Sequence, residues 1–334
     1  MSKRKMSKKE VLKRSLREDQ VKLNASFENG RWRVENLWEP EAGPVPLESV
    51  VFIPDCHHPY VDQNAWQLAL KVVRKVKPKV IVILGDFTDC LPVTGHGLDG
   101  PLKYTLLSEI SAARHALKEL EEAAGPQLDR KIFIEGNHET RLNRYIMQRA
   151  PELHGMVDIE KSLGLEESGW EFYPYKTTCQ LGKLHITHDT GKAGKNAHRS
   201  AALAYMGSSI IGHTHRMAYE VTGTFDGTPY LGAMFGWLGD RKAANYMHEV
   251  GAAEWVHGMG VGYVEWGTGI VHVQPIPFVH NKCVVAGELV TLDGDETSTL
   301  KAKARLTVSR RAGFSLGGSS DPAQARSEER RVGK

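Results

Sequence analysis

Five short blocks along this chain carry the side chains that hold divalent cations. They are Asp55-Cys56-His57, Gly85-Asp86-Phe87-Thr88-Asp89, Gly136-Asn137-His138-Glu139, His188, and Gly212-His213-Thr214-His215. In an extended segment, residues two apart point the same way, so Asp55 and His57 can offer a carboxylate and an imidazole to one ion. Asp86 suits a bridging place, because a carboxylate has two oxygens and a charge that both cations attract. Asn137 brings a neutral carbonyl oxygen, and His188, His213 and His215 bring neutral imidazoles. Oxygen and nitrogen donors around two ions ~3.5–4 Å apart are what metal-assisted hydrolysis of a phosphate ester requires.

The elements that must position these blocks can be read from the apolar pattern. An apolar run over residues 49–54 ends at Asp55 and predicts a buried strand. Residues 64–76 have helical periodicity (Trp66, Leu68, Ala69, Val72, Val73, Val76), with Pro78 just beyond as a stop. A second strand over 80–84 runs into Gly85-Asp86. A long amphipathic helix over 104–124 is closed by Gly125-Pro126. A third strand over 131–135 runs into Gly136-Asn137-His138, and a helix over 139–150 follows. Strand–helix alternation implies a parallel βαβ sheet, in which ligands gather beyond the carboxyl ends of the strands. The second half is β-rich. Strand pairs are expected at 178–181/184–188, 218–224/229–235, 261–266/270–275 and 282–285/288–291, with a helix over 196–206 and a strand over 208–211 running into Gly212-His213. Two packed sheets with helices outside is the architecture this order favours.

The ends differ from the middle. Residues 1–19 hold eight Lys/Arg against three acids, and residues 300–334 hold nine against three. With a net charge of +3 for the 334 residues, excesses of +5 and +6 at the ends leave −8 for residues 20–299. A basic core that attracts duplex nucleic acid at long range is thereby excluded. No apolar run approaches the ~18 residues of a membrane span, and the basic start lacks the apolar stretch of a secretory leader. The cytoplasm is the expected compartment, that of the host if the chain is phage-encoded. The four cysteines form no CxxC pair, so neither a zinc knuckle nor a disulfide framework is expected. The expected organisation is a basic arm over 1–24, a β-hairpin around Asn29-Gly30 with a linker over 25–47, a catalytic domain over 48–297, and a disordered basic tail over 298–334. Residues 326–334 read like a translated sequencing adapter.

The five blocks, in this order, resemble the calcineurin-like metallophosphoesterases over roughly residues 50–277. By that resemblance Asp55, His57, Asp86 and His215 would hold a first metal, and Asp86, Asn137, His188 and His213 a second. His138 would stay outside both shells, contact the substrate phosphate and protonate the leaving oxygen. The implied fold is an α/β (α+β) four-layered αββα sandwich, two mixed sheets face to face with helices outside. The implied chemistry is in-line attack on phosphorus by a metal-bridging hydroxide. Two divalent ions per chain are expected; the mixed donor set suits manganese, iron or zinc. The chain departs from the family pattern twice. The fourth block reads His188-Asp189 where His-Gly is usual, and the second lacks the Arg-Gly that follows in the phosphoprotein phosphatase branch. Asp89 is expected beside the ligands rather than among them.

Around the blocks, further substrate contacts are expected from Arg141 and Arg144, one helical turn apart after His138. Lys192, Lys195 and Asn196 open a helix whose N-terminus attracts anions, and His96 lies in a long loop after the second block. Trp237 and Trp255 are read as core. The compact chain resembles stand-alone bacterial and phage members of the family. Its expected substrate is a phosphodiester, in a nucleotide or nucleic acid, and no membrane partner is expected. Phosphomonoester or phosphoprotein hydrolysis is the alternative. A metal-binding scaffold without activity, or a nucleic-acid module acting through the basic arm, is a further reading.

Overall fold

The computed structural model describes residues 23–28, 31–36, 47–97, 100–225, 227–243 and 253–292. Residues 1–22 of the expected basic arm, residues 37–46 of the linker and the whole expected tail lie outside them. The chain divides into two compact units, residues 1–46 and 47–334. In the first, β1 (Leu23–Glu28) pairs antiparallel with β2 (Arg31–Asn36), with Glu28 opposite Arg31. That register leaves two residues for the turn, as an Asn-Gly hairpin requires.

The second unit is built on two mixed sheets. The first has six strands in the order β13 (Ile270–Pro277), β12 (Gly258–Glu265), β3 (Leu47–Ile53), β4 (Val80–Ile83), β5 (Arg130–Ile134) and β6 (Glu171–Tyr173). From β3 to β6 the pairing is parallel, while β12 runs antiparallel to both β3 and β13. The second has five strands in the order β10 (Met217–Thr222), β11 (Tyr230–Phe235), β9 (Ser209–Ile211), β8 (Leu184–Thr187) and β7 (Cys179–Leu181). Hairpin β14 (Lys282–Val285) and β15 (Glu288–Thr291) pairs as the sequence predicts, and Lys71 donates to the Thr291 carbonyl at 2.7 Å.

The period-two alternation of the strands assigns each residue to one of three cores. Val50, Phe52, Val80, Val82 and Ile132 meet Leu184, Ile186, Ile210, Ala233 and Phe235 between the sheets. Their chain neighbours Val51, Ile53, Ile81, Ile83 and Phe133 face the other way, onto α1 (Gln63–Val76) and α2 (Leu106–Ala124). On the far side of the second sheet, Ala197 and Ala201 of α5 (Ala197–Tyr205) pack on Ile211 and Met234. The order is therefore helix, sheet, sheet, helix: the αββα sandwich. The helices start where their sequences say. Asp62 caps α1 through Ala65 N, and Thr105 and Ser108 form a reciprocal box at the start of α2. Among the elements that escaped the periodicity are β6, of three residues, and α4 (Ile159–Leu163), of five, each too short to repeat its period twice. Among the described residues no helix is long and apolar enough to cross a membrane.

Candidate metal centre

All five blocks fall just beyond the carboxyl ends of strands. Asp55 and His57 follow β3, Asp86 follows β4, and Asn137 and His138 lie between β5 and α3 (Thr140–Arg149). His188 follows β8, and His213 and His215 follow β9. The two loops from the first sheet are laced together, with Cys56 N and His57 N both donating to the Asp86 carbonyl at 3.0 and 2.9 Å. His57, Asp86, His213 and His215 all have φ between 48° and 67°. Non-glycine residues rarely hold this left-handed conformation, and the strain gathers where side chains must converge. Gly85 (φ +93°) could not be larger, because a Cβ there would stand 2.4 Å from His188 Nδ1.

The side chains converge in two neighbouring groups. Donor atoms of Asp55, His57 and His215 lie within 4.8 Å of one another, as do those of Asp86, His188 and His213. The Asn137 Oδ1 joins the second group, 3.0 Å from His188 Nε2 and 2.7 Å from His213 Nδ1. A third set, His57, Asp86 and His138, is equally close.

The arrangement fits cations for a reason visible in the hydrogen bonds. His188 Nδ1 donates to the Leu84 carbonyl at 2.8 Å, so a ring that yields its other proton to a cation presents the Nε2 lone pair inward. That lone pair faces Asn137 Oδ1 and Asp86 Oδ2, the latter at 3.3 Å. His57 repeats the pattern: Nδ1 donates to Asp89 Oδ1 at 3.3 Å, and Nε2 faces His215 Nε2 at 3.1 Å. The buried Asp55 Oδ2, 3.2 Å from His215 Nε2, has no well-aligned hydrogen-bond partner. Acceptors facing acceptors, away from water, call for positive charge between them.

Protonation follows the same logic. Burial disfavours the His188 imidazolium, yet the charge of Asp86 overrides it and raises the pKa to about 10, so a cation would bind Nε2 by displacing its proton. Burial resists ionisation of Asp86, but His138 and His188 hold its carboxyl well below the usual range. For His215 burial wins, and its pKa falls to about 4. Glu139, fully buried, accepts from Asp86 N (3.0 Å), Gly136 N (2.9 Å) and Thr88 N (2.7 Å), pinning the second and third blocks together.

His138 sits beside this cluster. Its Nδ1 donates to Asp89 Oδ1 at 2.5 Å, while Nε2 accepts from Arg141 Nη2 at 3.1 Å and lies 3.8 Å from Asp86 Oδ2. Burial lowers its pKa, against the pull of Asp86. Asp89 also accepts from Arg141 Nη1, through its backbone carbonyl at 2.9 Å and Oδ1 at 3.4 Å.

The other predicted contacts divide. A cavity of about 680 Å³ opens at the cluster, lined by Asp86, Asn137, His138, Arg141 and His96. Arg144 lines an adjoining groove. Lys192, Lys195 and Asn196 are exposed and line neither; of that turn only Ala193 reaches the cavity, so the helix start does not present its cations to the cluster. Sequence reasoning missed Arg216, which lines the cavity while paired to Glu254 at 2.8 Å. Trp237 and Trp255 are buried, but against the site: Trp237 stacks on His215 (4.7 Å, 12°) and Trp255 meets it edge-on (4.4 Å, 81°). The Gly-rich stretch that carries them has no periodicity to announce this.

The sequence pattern of the family described as Calcineurin-like phosphoesterase matches residues 49–217, half of the chain and all five blocks. The chain belongs to the calcineurin-like phosphoesterases. As a member it is a metal-dependent hydrolase of phosphate esters. Among curated proteins none matches significantly. Solved structures similar to this calcineurin-like phosphoesterase include Vacuolar Protein Sorting 29 from Cryptosporidium parvum (12% identity, 73% of this chain and 95% of that one, TM-score 0.37). A single mutant of Vps29 from Entamoeba histolytica is similar too (12% identity, 73% and 99%, TM-score 0.36).

Proposed function

We propose that this phosphoesterase hydrolyses phosphodiesters, with a nucleotide or nucleic acid as substrate class. The observation that carries the reading is the branching of space at the cluster. The 680 Å³ cavity runs from Asn137 and Arg141 toward Pro101, Leu102 and Trp255, while a groove of about 690 Å³ leaves the same two residues toward Thr140, Arg144 and Tyr175. A diester has a substituent on each side of phosphorus and fills both branches; a monoester leaves one empty. Cys90-Leu91 in place of Arg-Gly also favours this reading over phosphoprotein hydrolysis.

In this reading Asp55, His57, Asp86 and His215 hold one divalent ion, and Asp86, Asn137, His188 and His213 a second, with manganese, iron or zinc suited to the donors. Such ions, when bound, acidify water and offset charge on the phosphoryl oxygens. His138 is the proposed acid, and Asp89 holds its ring through Nδ1. Arg141 occupies Nε2 in this structure. A phosphoryl oxygen would draw the guanidinium away, freeing Nε2 to carry a proton to the leaving oxygen. Trp237 and Trp255 keep water from His215.

The test compares bis-p-nitrophenyl phosphate with p-nitrophenyl phosphate under Mn²⁺. The diester should be preferred by at least about tenfold in kcat/KM, ~1.4 kcal/mol of barrier. A monoester preference of that size would overturn the reading.

A further inference from the structure

The groove that leaves Asn137 is cationic, although residues 20–299 together are acidic. Its lining includes Arg141, Arg144, Lys176 and His96 and no carboxylate. Some described cations elsewhere are neutralised by a carboxylate: Arg130 by Glu171, Lys131 by Glu121, Arg216 by Glu254, Lys75 by Glu288. Among the described residues Arg144 and Lys176 have no carboxylate partner.

Both are nonetheless held in place. Arg144 Nη2 donates to the Asn137 carbonyl (2.8 Å) and to Thr140 Oγ1 (2.7 Å), leaving its other two nitrogens without a protein acceptor among the described residues. Lys176 takes a left-handed backbone (φ 65°) and lies over the Tyr175 ring, 5.4 Å from its centre. The Tyr175 hydroxyl in turn donates to Asp189 Oδ2 at 2.5 Å, and Gly191 N donates to Asp189 Oδ1 at 2.6 Å. Asp189, the residue that departs from the family's usual glycine, therefore spends its carboxylate on holding this wall. An exposed guanidinium and ammonium on one groove, with no carboxylate to offset them, favour the approach of an anion.

We propose that the Arg144–Lys176 groove is a subsite for a second phosphate group of the same substrate, so that the preferred substrate carries two phosphates, one at the metal cluster and one in the groove. Arg144 suits the role because its fork matches two phosphate oxygens, and Lys176 adds a point charge. Gln148 and Thr140 add neutral polar groups to the lining. The inference rests on the phosphoester reading of the cluster and is separable from its diester preference, because it is tested by binding.

The experiment titrates the Mn²⁺-loaded protein with thymidine 3′,5′-bisphosphate and with thymidine 5′-monophosphate, by calorimetry at low ionic strength. The bisphosphate should bind at least about tenfold more tightly. In the Arg144→Ala/Lys176→Ala double variant the ratio should fall below about threefold, whereas Lys118→Ala, an exposed lysine outside the groove, should keep it. Circular dichroism and Mn²⁺ content establish that the variants are folded and loaded. Equal affinity of the two ligands for the unaltered protein, or an undiminished ratio in the double variant, would overturn the subsite. Turnover of diesters is read separately. A protein that binds the bisphosphate as expected but prefers monoesters would retain the subsite and lose only the diester reading.

Discussion

Replacing Gly136 by alanine should empty the metal cluster without touching a ligand. A Cβ at this position would stand 2.2 Å from both the backbone nitrogen and Oδ1 of Asp86, whereas ordinary contact begins at 3.4 Å. Something must move by about 1.2 Å. Asp86 cannot yield along its backbone, because Glu139 Oε2 receives both Asp86 N and Gly136 N, and Asp86 Oδ1 is fixed by His138 N at 2.8 Å. The strain should cost ~1–3 kcal/mol, as overpacked sites do. Metal binding should suffer more, since ligand distances tolerate only about ±0.2 Å and the proposed ligand sets share Asp86. Mn²⁺ affinity should fall on the order of 100-fold or more, beyond the loss typical of an outer partner. Metal content after dialysis, followed by calorimetric titration, reads the effect. Gly267→Ala, where nothing lies within 4 Å, is the control. A Gly136→Ala protein that keeps a full metal complement at unchanged affinity would refute both the steric argument and the central place of Asp86.

Three further outcomes are expected. The His138→Ala variant should keep its metal and lose turnover on esters with poor leaving groups by ~10²–10⁴-fold, the usual worth of a positioned acid, with far less loss on p-nitrophenyl esters; equal loss on both would remove its role as acid. Mn²⁺ at a hundred times its Kd should stabilise the fold by ~2.7 kcal/mol per site, seen as a rise in Tm that EDTA reverses; an unchanged Tm would mean the cluster holds no ion. The bidentate pair of Arg130 and Glu171 (2.6 and 2.8 Å) holds the Glu171 carboxyl below its ordinary value. Its stabilisation is present above the unfolded pKa of about 4.3 and is lost as pH falls through the folded one. Glu171→Gln should therefore cost under ~1 kcal/mol at pH 7, the pair being partly exposed, and nothing near pH 2; urea unfolding at the two pH values reads the difference.

Much of the site was legible because its chemistry is local. A ligand such as Asp55 or Asp86 ends an apolar strand, and both the strand and the donor can be read within a few residues. The strands β3, β4 and β5 and the helices between them were visible for the same reason: each buries a face with a clear period. What stayed hidden depends on distant contacts. Trp237 reaches His215 only because the segment after β11 bridges to Asp55 and His257, and no local pattern encodes that. The helix start at Lys192 looked right for an anion by charge and dipole, but the turn that places it exposes the lysines away from the cavity. Lys176 gave no sign at all, since a lone lysine after Tyr175 acquires meaning only beside Arg144.

The donors of this centre come from both sheets: Asp55, His57, Asp86 and Asn137 from one, His188, His213 and His215 from the other. A cation gripped between them would act as a rivet through the middle of the sandwich, joining layers that otherwise adhere by side-chain packing and a few hydrogen bonds such as His188 to Leu84. The sheets could not then slide or part without first releasing the ion, so sub-global openings that separate them should be among the rarest motions of the loaded protein. The four cysteines are all free and buried. This chain would thus fasten its halves with a clasp indifferent to redox conditions, one that a chelator can undo and a metal can close again.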